Sequence, residues 1–350
     1  MSDDHPCMSS GAAALALKNH DVLCHMFEVH GDVSTRTRLS RKDLFCSSLV
    51  SRAFREPALR ALWRDMSPPT PLWLLLAPRN SAAEILSERT HADPARWARF
   101  MWYARFVQEL HITTFGLEHK HKQLICALVE HNGEESIFPS LQTLSWSPSS
   151  YSDTSYFPLF TPQLHSAILD LPHPSEADKD PQSHIFLAQL RASSPRLDYL
   201  CVDVSWEHIG VNHLGVIASF EHLTDLNLVA STSLTSFREL ATMPCMNSLR
   251  IAYVRSDELE PSHPLAQIHA PRLTLISVGG NCPSLAQLFT ALNAPVLASA
   301  SFHAISDHPL TERYADYDLC IKALTTVCPP RWRTSASRST RTAARRWSST

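Results

Sequence analysis

The chain has 350 residues, a formal charge of −3 at pH 7, 44% hydrophobic side chains, 24 prolines and only 8 glycines. That apolar content suits a folded protein, while the scarcity of glycine and the absence of any GxGxxG or GxxxxGK(S/T) run remove the main sequence support for nucleotide chemistry. Residues 331–350 carry six arginines and no acid, leaving 25 basic against 34 acidic side chains, or −9, on the rest, which gives no basis for a broad nucleic-acid-binding face.

Residues 1–16 read as a flexible N-terminus. They open with acids and hold only a short apolar run, too short and wrongly charged for a signal peptide. The nine cysteines stand singly, with no CxxC, and their odd number fits a reducing compartment, cytoplasmic and/or nuclear. No apolar stretch reaches the length of a membrane span, since Trp73 to Leu76 is broken at once by Pro78 and Arg79. No membrane partner is expected.

Residues 17–66 predict three short amphipathic helices. Val22, Leu23, Met26 and Phe27 lay one apolar stripe on the first. Ser40 with Asp43 is a capping-box variant ahead of Leu44, Phe45, Leu49 and Val50 in the second. Pro57 suits the first turn of a third, where Ala58, Leu59, Leu62, Trp63 and Met66 repeat the stripe. So small a unit buries little surface alone and needs a neighbour. On pattern alone it also fits a plain helical cap on a repeat protein.

The words Asp21-Val22-Leu23, Met26-Phe27, Lys42-Asp43-Leu44, Ser48 to Phe54 and Pro57 to Arg64 give the block a second meaning. With them it resembles the F-box of the large fungal F-box/leucine-rich-repeat families. The family's Leu-Pro opening is replaced by Lys18, Asn19 and His20, and a polar insert, Gly31 to Leu39, lengthens the first connection. The resemblance implies docking on a Skp-type adaptor through Leu23, Phe27, Leu44, Leu49, Val50, Leu59, Leu62 and Trp63. Some of these must instead hold the helices together, and the sequence does not divide them.

Residues 67–106 read as a linker with packing helices. Pro71 to Leu76 resembles the segment that follows the F-box in the same families. Trp97, Phe100, Met101, Tyr103 and Phe106 predict an aromatic-rich helix serving as core.

Residues 107–328 predict a leucine-rich-repeat solenoid. A Pro or Phe followed by Leu-x-x-Leu-x-Leu returns at anchors Leu141, Leu164, Leu197, Leu223, Met246, Leu273 and Leu297. Val107-x-x-Leu110-x-Ile112 leads them, and Leu164 with Ile168 is a looser copy. The intervals are 23, 33, 26, 23, 27 and 24 residues, mostly within the roughly 20–29 of leucine-rich repeats. The last two apolar positions of each phrase lie two apart and share one face of a short strand. Return helices are expected at Ile185 to Ala192, Leu214 to Phe220, Phe237 to Met243, Leu265 to His269 and Ser284 to Leu292. The recurrent prolines read as helix terminators. The expected class is α/β: a three-helix F-box followed by an irregular solenoid of parallel strands with convex-side helices.

No catalytic constellation, cofactor site or metal site is assigned. His111, His119, His121 and His131, with Glu118 and Glu130, lack HExxH and read as a solvated loop. Residues 329–350 read either as a disordered basic tail, free of repeat leucines and able to act as a nuclear address, or as an out-of-frame end to a longer solenoid. The resemblance implies a substrate-recognition adaptor of a Skp–cullin–F-box ubiquitin ligase. Its client protein would contact the positions between the leucines: Asp198, Tyr199, Asp203, Thr224, Asp225, Asn227, Arg250 and Tyr253. The rival reading is an interaction scaffold with a degenerate F-box and no ligase role, and a third is an enzyme using the histidine-rich region.

Overall fold

The computed structural model describes residues 15–31, 40–67, 69–76, 93–112, 135–147, 159–171, 183–204, 211–255 and 266–304, with single positions at 11, 128, 132, 133 and 322. The fold is mixed α/β, and every strand pairing whose register is described is parallel. The chain divides into two units, Met1–Trp206 with Gly215–Leu223, and Glu207–Leu214 with Thr224–Thr350. The helical block therefore shares a unit with the first strands, and the division falls within the repeats.

The first unit begins with α1 (His20–Gly31), α2 (Arg41–Val50) and α3 (Arg52–Arg64). The predicted capping box forms: the Asp43 backbone N–H donates to the Ser40 hydroxyl oxygen at 3.1 Å, and the Ser40 N–H donates to the Asp43 carboxylate at 3.1 Å. The Ser40 hydroxyl, which donates to the Asp43 carboxylate at 2.6 Å, and then the Ser40 N–H hold the exposed Asp43 carboxyl below its ordinary range. Ser51 caps α3 by accepting from the Phe54 N–H, so the helix starts before Pro57, which lies in its interior rather than its first turn. The capping hydroxyl set the start, and the proline ring is accommodated among buried neighbours. Phe27, Leu44 and Ala58 make the core of the three helices, with Phe54, Ala61 and Leu62 packed on it. Phe27 meets Phe54 edge-on at 5.8 Å.

Met66, expected on the third helix, instead belongs to β1 (Asp65–Met66), fully buried, and β1 pairs with β2 (Glu109–Ile112). Between them lie α4 (Thr70–Trp73) and α5 (Pro94–Ala104), the latter capped by Asp93. Trp73 stacks on Phe100 at 6.2 Å and tilts against Phe138 at 6.4 Å, so the linker is core, as its aromatic content predicts. The ladder continues through β3 (Thr143–Trp146), β4 (Ser166–Leu171) and β5 (Tyr199–Val204), with α6 (Ser183–Ser193) between the last two. In β4 the buried positions are Ala167, Leu169 and Leu171, while Ile168 is half-exposed. The looser repeat copy is therefore Leu164-x-x-Ala167-x-Leu169, in phase with the others.

In the second unit the ladder is β6 (Asp225–Ser233), β7 (Ser248–Arg255), β9 (Leu275–Gly280) and β11 (Ser299–Ala304), in that order. A two-residue pair, β8 (Ile268–His269) with β10 (Leu292–Asn293), stands apart from it. The helices are α8 (Leu234–Ala241) and α9 (Cys282–Ala291), and the boundary between units runs through α7 (Val211–Ala218). The expected helix at Leu265 to His269 is not formed at its C-terminal end, where Ile268 and His269 are extended. β-branched Ile268 pairs there instead.

One local device recurs in both units. Before each of six strands, the anchor N–H closes a turn onto the carbonyl three residues back: Leu141 to Phe138, Leu164 to Thr161, Leu197 to Ser194, Met246 to Met243, Leu273 to Ala270 and Leu297 to Ala294. In each turn the second residue is proline: Pro139, Pro162, Pro195, Pro244, Pro271 and Pro295. Proline presets the backbone angle that this turn position needs. The prolines are thus turn-formers. Directly after Val107, Leu141, Leu164, Leu223, Met246 and Leu273, one carbonyl accepts two N–H groups from the next repeat, as Gln108 does from Gln142 and Thr143, and Asn247 from Thr274 and Leu275. These shared bonds fix the parallel register before the strand begins.

Candidate functional surfaces

The eight residues expected to dock an adaptor divide into two sets. Leu23, Phe27, Leu44 and Leu59 are buried, and Phe27 and Leu44 belong to the cluster that holds the helices together. They are corrected from docking to core residues, since a side chain already packed has little left to offer a partner. Leu62 and Trp63 are half-buried; Leu62 packs on the core cluster, and the Trp63 ring lies 4.5 Å from that of Tyr103 on α5. Leu49 and Val50 are exposed, at 71% and 72%.

Four further large apolar residues of these helices share that condition. Phe45 on α2 is 53% exposed, and it lies one turn before Leu49. Val22, Met26 and Val29 recur at i, i+4 and i+7, one exposed stripe along α1. Scattered exposed apolar residues are ordinary, but stripes of them on two short helices are not. The sequence contained this signal, because each helix carries more apolar positions than one buried face can use.

The exposed helices are anchored from below. Arg60 on α3 pairs with Glu28 on α1 at 3.5 Å, and the Arg41 guanidinium donates to the Asp65 carbonyl at 3.4 Å. Asn19 accepts from the Asp21 and Val22 N–H groups, so a cap opens α1 where the family has Leu-Pro.

The eight positions expected to meet a client are all at least partly exposed, and they fall in both units. In the first, Asp198 is exposed just before β5, and Tyr199 is half-exposed opposite Ser166. Asp203 sits directly opposite Asp170, which also accepts a hydrogen bond from the Ser147 hydroxyl at 3.0 Å. Partial burial, then the Asp170 carboxylate, push the Asp203 carboxyl above its ordinary range. In the second unit, the Thr224 hydroxyl donates to Asp225 at 2.9 Å. Asn227 and Arg250 are register partners, continued by Ser277 and Ser301. Tyr253 is half-exposed beside Arg255, whose guanidinium lies 5.8 Å from its ring centre. Sequence reasoning missed Asp170, Ser277 and Ser301, which become part of each face only through register.

Of the histidine-rich set, His111 is a half-buried residue of β2; His119, His121, His131, Glu118 and Glu130 lie outside the described residues, as does the segment 329–350. Among the described residues no group of three or more His, Cys, Asp or Glu is placed to hold a metal ion, and no helix is long and apolar enough to cross a membrane. No protein-family model and no curated protein matches the chain.

Proposed function

We propose that the chain is a substrate-recognition adaptor of a Skp–cullin–F-box type ubiquitin ligase. The α1–α3 block docks the Skp-type adaptor, and the solvent side of the strands holds a client protein. The chemistry then belongs to other subunits. This chain contributes proximity, raising the effective concentration of client lysines at the ubiquitin-charged enzyme.

The observation that carries the reading is the division of the helical block. Its core closes around Phe27, Leu44 and Ala58, yet Phe45, Leu49 and Val50 stay mostly in solvent. Full burial of one such side chain contributes about 1.5–3 kcal/mol, so covering the exposed portions of these three is worth roughly 3–5 kcal/mol to a complex. A plain solvated cap has no use for that surface.

The test is co-expression with a Skp-type adaptor and affinity capture. Wild type is expected to retain the adaptor, and the double variant Leu49→Asp/Val50→Asp to lose it while keeping its helical circular dichroism. Leu44→Ala serves as the contrasting core variant and is expected to cost roughly 2–5 kcal/mol of folding stability. A folded wild-type protein that fails to retain the adaptor sinks the ligase reading and leaves the interaction scaffold.

A further inference from the structure

The ladder of the second unit ends unevenly. At the inward positions of β6, β7 and β9, Leu226, Leu228, Leu249, Ile251, Ile276 and Val278 are at most 2% exposed. Their counterparts on β11, Ala300 and Phe302, are only half-buried, although the Phe302 ring meets Phe289 on α9 edge-on at 6.3 Å. β11 is the last strand of the order, and among the described residues nothing pairs with its outer edge. An open parallel edge over uncovered apolar side chains invites pairing with other chains, and a stack of repeats needs a cap there.

The sequence that follows carries the pattern of a cover. Leu310, Tyr314, Tyr317, Ile321, Leu324 and Cys328 recur at intervals of 4, 3, 4, 3 and 4, the stripe of an amphipathic helix, with Glu312, Asp316 and Thr326 on the opposite side. Asp307-His308-Pro309 repeats the spacing of Asn281-Cys282-Pro283, which opens α9, and Pro329 and Pro330 close the stretch. Lys322, the one described residue within it, is helical and exposed, and it lies off the stripe. The next repeat anchor is due about 20–29 residues after Leu297, yet neither the proline turn nor the full Leu-x-x-Leu-x-Leu phrase occurs there. A helix over residues 308–328 is roughly 31 Å long at about 1.5 Å per residue. The return helices α8 and α9 have eight and ten residues, so this stretch is too long for a return alone.

We propose that residues 308–328 are the cap of this end: an amphipathic helix whose Tyr314, Tyr317, Ile321 and Leu324 cover Ala300 and Phe302 and close the ladder at β11. The proposal stands on the second unit alone and does not depend on adaptor docking. The covering stretch begins within a few residues of Ala304, the end of β11, so its tether gives it a local concentration that neither a second copy nor a separate partner reaches. Two tyrosines suit the place, since their rings cover apolar side chains while the hydroxyls reach water at the rim. With the edge closed, the outer N–H and carbonyl groups of β11 are withheld from other strands, and the chain stays a monomer.

The test is hydrogen–deuterium exchange of the full chain, read by mass spectrometry on peptides covering β11 and β7, with light scattering for the oligomeric state. Ile321→Asp is expected to speed exchange across β11 by about tenfold or more while β7 keeps its rate. Thr326→Asp puts the same charge on the opposite side of the helix and should change neither. If Ile321→Asp loses protection throughout the chain, Ile321→Ala decides by the same comparison, with a smaller rise confined to β11. Exchange in β11 that is unaltered by the deciding Ile321 variant, or raised as much by Thr326→Asp, overturns the proposal. A wild-type dimer whose β11 protection rises with protein concentration and ignores both Ile321 variants gives the edge to a second copy, and overturns it too.

Discussion

Gly279→Ala is the substitution whose outcome the structure fixes best, because its sign runs against the usual rule. Replacing a strand glycine by alanine normally stabilises by about 0.4–1 kcal/mol through the unfolded chain. At Gly279 the backbone angles are open to alanine, but the space is not. A Cβ there would lie 3.1 Å from the Ala252 carbonyl carbon and deep inside the contact distance of its oxygen. The neighbouring strand would have to recede by roughly an ångström, in a ladder whose strands are about 4.8 Å apart. Losing one or two ladder hydrogen bonds at about 0.5–1.5 kcal/mol each, with packing strain of about 1–3 kcal/mol, gives a cost of roughly 2–4 kcal/mol. Gly215→Ala, in α7 with nothing within 4 Å of the new methyl, is the matched control and should stabilise by about 0.5–1 kcal/mol. Urea denaturation followed by circular dichroism measures both. If Gly279→Ala proves neutral or stabilising while Gly215→Ala behaves as stated, the close approach of β7 and β9 at the bulge is wrong.

Asp203 gives a pH prediction. Its folded pKa is raised, so the folded state binds the proton more tightly, and stability declines as pH rises from the ordinary carboxylate range through the folded value. Asp203→Asn should therefore stabilise at pH 7, with the gain vanishing below about pH 4, the ordinary aspartate value. Asp170→Asn should lower the Asp203 titration seen by carboxyl NMR only part of the way, because burial is the larger cause; a full return to the ordinary value would make the Asp170 charge the dominant one. Trp63→Ala should destabilise by about 2 kcal/mol, below the roughly 3–5 of a fully buried tryptophan, because its ring is half-exposed against Tyr103. Thermal melts of Trp63→Ala and Tyr103→Ala should show losses that do not add; strict additivity would deny the contact.

The repeats were legible because each carries an inward anchor and an alternating apolar pair, and six of them a turn-forming proline as well. Every anchor from Val107 to Leu297 leads to a strand at the expected place. What stayed hidden has local causes. Two-residue strands such as β1, β8 and β10 are too short to have a period, so Met66 and Ile268 read as helical. The bulges in β6 and β7 break the alternation, which is why Tyr253 and Arg255 share the solvent face with Arg250 despite odd spacing. On the helices, periodicity found the apolar positions but could not separate Leu44, which is buried, from Phe45 and Leu49, which are not. That separation depends on where α3 sits, a tertiary fact. Ser51 rather than Pro57 starting α3 was also written in the sequence, as a capping serine three residues before Phe54.

The unexpected strand β1 bears most on how such an adaptor would work. A recognition subunit that acts through proximity needs the docked end and the client end held in a defined relation, since a loose tether spreads the client over a larger volume and dilutes it. Here α3 runs directly into β1, and the Gln108 N–H donates to the Arg64 carbonyl at 2.9 Å, so the last helix enters the sheet ladder without a linker. Three side-chain pairs support the same joint: Arg64 with Glu109 at 3.4 Å, Arg105 with Glu56 at 3.4 Å, and Trp63 against Tyr103. The ion pairs are partly exposed, and each alone is worth little. Their value is in number and placement, because they hold both sides of α3. The half-buried Trp63 thus packs, outside the helical core cluster, at the joint that fixes the helical block on the first strands.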